Sequence, residues 1–152
     1  MILSSLLLAQ LAIYQHAIIL ETKYGIEAEL TLAIIQTESG FNPKAIGTAG
    51  EVGLMQLHPK YHQNIKFSRK ANMEQGVAYL ASLKAKCFPK LKSAWFVCYN
   101  TGVRKAKALD KPFQFSYYKK VSKYYAEIAK SLYHARTSSS SEGKMYIAES
   151  SR

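Results

Sequence analysis

Apolar residues recur at helical spacing through most of the chain, and short polar or glycine-rich stretches separate the runs. From Met1 to Leu20 there is no charged side chain, and the apolar pattern continues without a linker to a break at Tyr24-Gly25. This opening run fits two readings equally: the apolar core of an export signal or anchor, or a first helix packed in the core. The first cation is Lys23, so a signal's basic leader is missing, and Gln10, Gln15 and His16 disfavour a full membrane span.

A second helix is expected from about Glu27 to Ser39, where Leu30, Ile34 and Glu38 fall at i, i+4 and i+8 and Ala33 and Ile35 widen the apolar face. Gly40, Gly47, Gly50 and Gly53 with Asn42-Pro43 then spell a winding loop. The apolar run Gly53-Leu54-Met55-Gln56-Leu57-His58-Pro59 follows as a short buried helix or turn, and the polar, basic stretch from Tyr61 to Arg69 reads as surface loop. Asn72 is expected to cap a third helix with Met73, Val77, Leu80 and Leu83 inside, broken at Phe88-Pro89. Another helix runs from about Leu91 to Asn100 and stops at Thr101-Gly102. Val121, Tyr124, Tyr125, Ile128 and Leu132 lie at helical spacing in a basic amphipathic segment from Ser116 to about Arg136. The expected organisation is thus a mainly α domain over 13–136, an apolar segment over 1–12, and a disordered serine-rich tail over 137–152.

Composition narrows this picture. A chain of 152 residues fits one domain, which buries roughly 68–70% of its unfolded surface, enough for a core and one cleft. With 21 Lys and Arg against 10 Asp and Glu, the net charge of +11 implies an anionic partner. The cations are scattered and no nucleic-acid motif accompanies them, so nucleic acid is not the expected partner. Cys87 and Cys98 lack metal-ligand spacing with any of the four histidines, so neither a metal nor another cofactor is expected. The two cysteines fit one disulfide or two buried thiols equally well.

The candidate chemistry centres on Glu38. A carboxylate in the last turn of a helix meets the negative end of the backbone dipole, at a cost of roughly 0.3–1 kcal/mol. At the rim of a buried stripe it is also partly desolvated, which raises its pKa toward the range a general acid needs. Gln56, a polar residue inside an apolar run, must hydrogen-bond either the loop backbone or a ligand amide. Tyr99-Asn100 lies at a helix end, to pack under the loop or face a groove.

Read together, Glu38-Ser39-Gly40-Phe41-Asn42-Pro43, Gly50-x-x-Gly53-Leu54-Met55-Gln56, Asn72…Gly76…Tyr79-Leu80 and Tyr99-Asn100-Thr101-Gly102 resemble the soluble lytic transglycosylase (SLT) family. The resemblance covers about Ile13 to Leu109. It implies an all-α, lysozyme-like domain with a glycan-binding groove that holds peptidoglycan strands of alternating N-acetylglucosamine and N-acetylmuramic acid. Glu38 matches the family's single catalytic acid/base, which forms a 1,6-anhydromuramic end. Gln56 and Tyr99 match groove residues, and Ser39, His58 and Asn100 are the further substrate-binding candidates. Tyr99 would position the acid or the substrate's N-acetyl group. The resemblance further implies a monomer working in the periplasm or cell envelope, or on a host wall from a phage, with a virion or a secretion or conjugation machine as partner.

Two departures bear on the product. Many relatives carry Ser where Gly47 sits, and the hydrolytic goose-type lysozymes carry Asp at the positions matching Gly47 and His58. Without either Asp, cyclisation is favoured over hydrolysis, although Glu51 lies in the same loop and could activate water. The alternatives are therefore a lysozyme-like hydrolase of the same bond and a wall-binding module that lost catalysis.

Overall fold

In a computed structural model, the backbone is described for residues 2–62 and 68–149 and the side chains for 9–62 and 68–133. Among the described residues there are six α-helices: α1 (Ile2–Tyr24), α2 (Ala28–Ser39), α3 (Arg69–Leu91), α4 (Val97–Thr101), α5 (Val103–Lys107) and α6 (Ser116–Glu149). No strand is present among the described residues. The loop after α2 holds the isolated antiparallel bridges Ile46–Val52 and Val52–Leu57.

Helix α2 is the central element. Ala28 and every residue from Thr31 to Ile35 are buried, because α1 and α6 both pack against it. Each fully buried aliphatic such as Ile34 or Ile35 contributes about 1.5–3 kcal/mol. In α1, Ile13, Ala17 and Leu20 supply the inward stripe. Among the described residues, no helix is long and apolar enough to cross a membrane. Helix α6 runs antiparallel to α2 and is pinned to it at two places. Tyr117 donates to Glu38 Oε1 at 2.7 Å, and Tyr125 donates to Glu27 Oε2 at 2.6 Å. The α6 backbone continues to Glu149 across the serine-rich stretch expected as a tail, whose side chains lie outside the described residues, as do Gln63–Phe67 of the expected surface loop.

Helix α3 differs from expectation at both ends. It starts one turn earlier than expected, with Ser68 as N-cap accepting from Ala71 N at 3.4 Å, and Asn72 sits inside the first turn. Asn72 is buried and clamps the loop instead: its Nδ2 donates to Val52 O at 2.9 Å, and its Oδ1 accepts from Met55 N at 2.8 Å. An amide matches one carbonyl and one N–H at once, which a capping side chain need not do. Gly53 admits this contact, since a Cβ there would fall 2.5 Å from Asn72 Nδ2. At the other end the helix passes through Pro89 to Leu91. Proline removes one donor near the terminus, while Cys87 and Leu91 are buried on either side and hold the turn in place. Beyond it, the expected helix from Leu91 is a short 3₁₀ turn, Lys92–Ala94, followed by the separate α4.

Cys87 of α3 and Cys98 of α4 form a disulfide, which resolves the two readings of the cysteines. It closes a short loop and fixes α4, and with it Tyr99, against α3. The Asn72 clamp generates a direct prediction. Asn72→Ala leaves the Met55 N–H buried without its partner, while the Val52 carbonyl still accepts from Leu57 N at 3.1 Å, and should lower unfolding free energy by about 1–3 kcal/mol in urea titration.

Candidate active site

Glu38, Glu51, Gln56, His58, Tyr79, Tyr99 and Asn100 line one cleft of about 660 Å³. Three chain segments build it. The end of α2 supplies Glu38, the loop through residues 47–62 supplies one wall, and the α4–α5 corner supplies Tyr99 to Gly102.

Glu38 is mostly buried at the last turn of α2, which ends in a left-handed Gly40 whose N–H returns to Gln36 O. Burial raises its pKa above the usual value of 4.5. The Tyr117 hydroxyl and the Lys120 charge pull the other way, and the nearby Glu51 charge adds to the rise. Desolvation is the largest of these effects, so the protonated acid is favoured more than in water. Tyr117 is held well above its ordinary pKa by burial and by the Glu38 carboxylate, so it stays a hydroxyl donor.

The loop wall is built around Gln56. Its φ of 47° is strained for a residue with a side chain. Two hydrogen bonds hold it there, from Nε2 to Gly53 O at 2.9 Å and to Ala45 O at 3.2 Å. The loop backbone thus takes both amide donors, which leaves Oε1 as the group available to a ligand. Gly47 faces the same spot: a Cβ there would collide with Glu51 Oε2 and lie 2.7 Å from Gln56 Oε1. The absence of a side chain at Gly47 is therefore matched by Glu51, whose carboxylate fills that space and accepts from Ala49 N at 3.2 Å.

The other expected residues divide. Tyr99 reaches the cleft, but its hydroxyl donates to Met55 O at 2.7 Å; the hydroxyl that meets Glu38 belongs to Tyr117. Burial raises the Tyr99 pKa well above the ordinary value, and the Glu38 charge adds to this. His58 lines the cleft with Nδ1 accepting from Lys60 N at 3.0 Å and its ring 5.4 Å from that of Tyr61. Asn100 lines the cleft as an exposed side chain. Ser39 is not brought there; its hydroxyl donates back to Ile35 O at 3.2 Å. Two further residues stand at the site that were not among the expected site residues, although Tyr79 lies in one of the matched motifs. Tyr79 stands 5.7 Å from the Tyr99 ring and 4.9 Å from that of His62, and burial lowers the His62 pKa. Tyr117 lies one helical turn before Val121, so extending the α6 stripe backwards would have found it. No cluster able to hold a metal ion occurs among the described residues.

The raised Glu38 pKa has a stability consequence. A carboxyl whose folded pKa exceeds its unfolded value gives stability that is fully present below the unfolded value of 4.5 and is lost as pH rises through the folded one. Glu38→Gln cannot ionise and keeps an acceptor for Tyr117. It should therefore melt higher than wild type at neutral pH, with the gap closing as pH falls toward 4.5 in thermal scans.

The Transglycosylase SLT domain family matches residues 15–121. Among curated relatives, the "Membrane-bound lytic murein transglycosylase C" of Actinobacillus pleuropneumoniae serotype 5b (strain L20) is 28% identical over 153 residues, spanning 86% of this chain and 41% of the relative. The protein of the same name from Histophilus somni (strain 2336) is 38% identical over 79 residues, spanning 42% of this chain and 22% of the relative. The chain thus spans at most about two fifths of the length of these relatives. An X-ray structure of an inactive mutant of the lytic transglycosylase Slt from Pseudomonas aeruginosa superposes with a TM-score of 0.65 and 20% identity, over 78% of this chain and 24% of that one, and so shares the fold. With more than two thirds of its length inside the match, this chain belongs to the Transglycosylase SLT domain family.

Proposed function

We propose that the chain is a peptidoglycan lytic transglycosylase, cleaving the β-1,4 bond between N-acetylmuramic acid and N-acetylglucosamine with Glu38 as its single acid/base. The observation that carries this reading is a mostly buried carboxyl, raised in pKa, that opens on a cleft and holds a tyrosine hydroxyl donor. In the first step Glu38 gives its proton to the glycosidic oxygen as the C1–O bond breaks, and the carbonyl oxygen of the muramic N-acetyl group shares its electrons with C1. In the second step the Glu38 carboxylate takes the proton of the C6 hydroxyl, and O6 bonds to C1 as the N-acetyl oxygen leaves C1 with its electron pair and the acetamido group is restored. The product is a 1,6-anhydro ring, Glu38 is protonated again, and no water is consumed.

Tyr117 fits the needs of both steps. Its hydrogen bond tempers the rise in the Glu38 pKa, so the group loses its proton to the leaving oxygen yet recovers one in the second step. Gln56 Oε1 and Asn100 are suited to the polar groups of the sugars, and the rings of Tyr79, Tyr99 and Tyr61 to their apolar faces. The Cys87–Cys98 disulfide supports an oxidising compartment such as the cell envelope or, for a phage protein, the host wall. A phage, a secretion machine or a conjugation machine would each use such a local opening of the wall.

One observation favours a second reading, partial hydrolysis. The Glu51 carboxylate occupies the space beside Gly47, in the same cleft as Glu38, where it is suited to take a proton from an attacking water. Digestion of purified murein followed by product mass separates the two readings. The wild type should release anhydromuramic ends, and Glu38→Gln should release none, a loss of at least about a thousandfold for the only acid/base. Reducing muramic ends that vanish in Glu51→Gln would establish the hydrolytic branch. Lysis that survives Glu38→Gln would refute the catalytic assignment.

A further inference from the structure

A second cavity, of about 460 Å³, lies at the start of α2, roughly 16 Å of helix away from Glu38, and shares no lining residue with the cleft. Its floor is Trp95 and Phe96, both buried, and Tyr118 stacks on Phe96 with ring centroids 5.3 Å apart and planes 11° from parallel. At its rim Phe88 is 46% exposed, on a backbone fixed by the neighbouring Cys87–Cys98 disulfide. An aromatic ring held half in water on fixed backbone is a ready apolar contact, because little chain entropy remains to be lost on binding. The polar groups beside these rings are of both signs. Glu27 Oε2 accepts from the Tyr125 hydroxyl at 2.6 Å and Lys84 Nζ donates to Gly25 O at 3.1 Å. A carboxylate has four lone-pair sites and an ammonium three donors, so each keeps capacity for a ligand, and Ser93 and Ser122 add hydroxyls.

We infer that this cavity is a second sugar site, which holds a neutral N-acetylated unit of a glycan strand away from the cleft. The inference rests on the proposed substrate and adds to it a hold on the wall that takes no part in cleavage. A sugar presents apolar C–H faces and hydroxyls that both give and accept, which is what rings flanked by a carboxylate, an ammonium and hydroxyls can satisfy together. Leu30 and Val121 supply an aliphatic wall suited to an acetamido methyl. The mixed signs weigh against charged occupants. A cationic peptide would meet Lys84, while an anionic headgroup would meet Glu27. Tyr125 is pushed up to about 12 by its bond to Glu27, by burial and by the charges of Glu27, Glu29 and Glu21, so two more carboxylates stand near this rim. A second hold also raises the effective concentration of wall glycan at the cleft between cleavage events.

The chain carries one tryptophan, Trp95, and it lines this cavity and not the cleft, so its fluorescence reads occupancy here. The full chain carrying Glu38→Gln is titrated with a tetramer of β-1,4-linked N-acetylglucosamine, with tetralysine and with phosphatidylglycerol vesicles. The sugar should give a saturable change, and adding Phe88→Ala should weaken its half-saturation by about tenfold through loss of one ring face. Lys84→Met, which keeps the apolar stem, should weaken it by about threefold, whereas a cationic ligand would bind this variant more tightly. Both side chains are partly exposed, so neither change empties the core. Phe88→Ala should likewise weaken co-sedimentation with sacculi stripped of peptides. A silent Trp95, a sugar response undiminished in Phe88→Ala, or a response confined to tetralysine or to vesicles would each overturn the inference. If the wild type cleaves murein while Trp95 stays silent, this inference alone fails. If it does not cleave murein while Trp95 titrates with the sugar, the catalytic reading fails and this one stands.

Discussion

The cleft depends on how Met55 is held. Its backbone N–H is bound by Asn72 of α3, its carbonyl by the Tyr99 hydroxyl of α4, and its side chain enters the space left open at Gly76, where a Cβ would collide with the Met55 sulfur. One buried residue thus joins the loop to two helices, and the Cys87–Cys98 disulfide ties those helices to each other. These contacts fix the loop wall, including the strained Gln56 and the Glu51 carboxylate, opposite the end of α2. Strain at Gln56 persists because its neighbours on both sides are fixed.

That rigidity gives Glu38 its chemistry. A carboxyl at a helix C-terminus in open water would ionise readily, and the dipole alone shifts it little. Packing α6 along α2 removes water from Glu38 and brings in Tyr117 as replacement. The fold therefore carries a destabilising feature at neutral pH, which the large apolar face of α2 offsets. A mostly buried acid with a donor partner serves a reaction that both gives and takes a proton.

Much of this was legible in the sequence, for identifiable reasons. Helix α2 follows from its apolar spacing and its glycine stop, and the placement of Glu38 at the rim follows from the same register. Gln56 declared itself as a polar residue in an apolar run, although periodicity could not say that its amide donors serve the loop. Asn72 misled because Asn is a frequent helix cap; its clamping role depends on Gly53, distant in sequence, and becomes visible only once α3 meets the loop. Tyr117 was obscured by a run rich in tyrosine and lysine, where no local pattern marks the hydroxyl that will meet a carboxyl 79 residues away. The exchange between Gly47 and Glu51 is likewise a fact of space, since composition shows only the missing side chain.

The central claim is that the Glu38 carboxyl has its pKa raised by burial and moderated by one tyrosine. Its most direct measurement is a carbon NMR titration of the glutamate side-chain carboxyls, with Glu38 assigned by its absence in Glu38→Gln and followed in wild type and in Tyr117→Phe. The account predicts a midpoint above 4.5 in wild type and a still higher one in the variant, because the lost hydrogen bond had favoured the charged form. A wild-type midpoint at or below 4.5, or a downward shift in Tyr117→Phe, would contradict it.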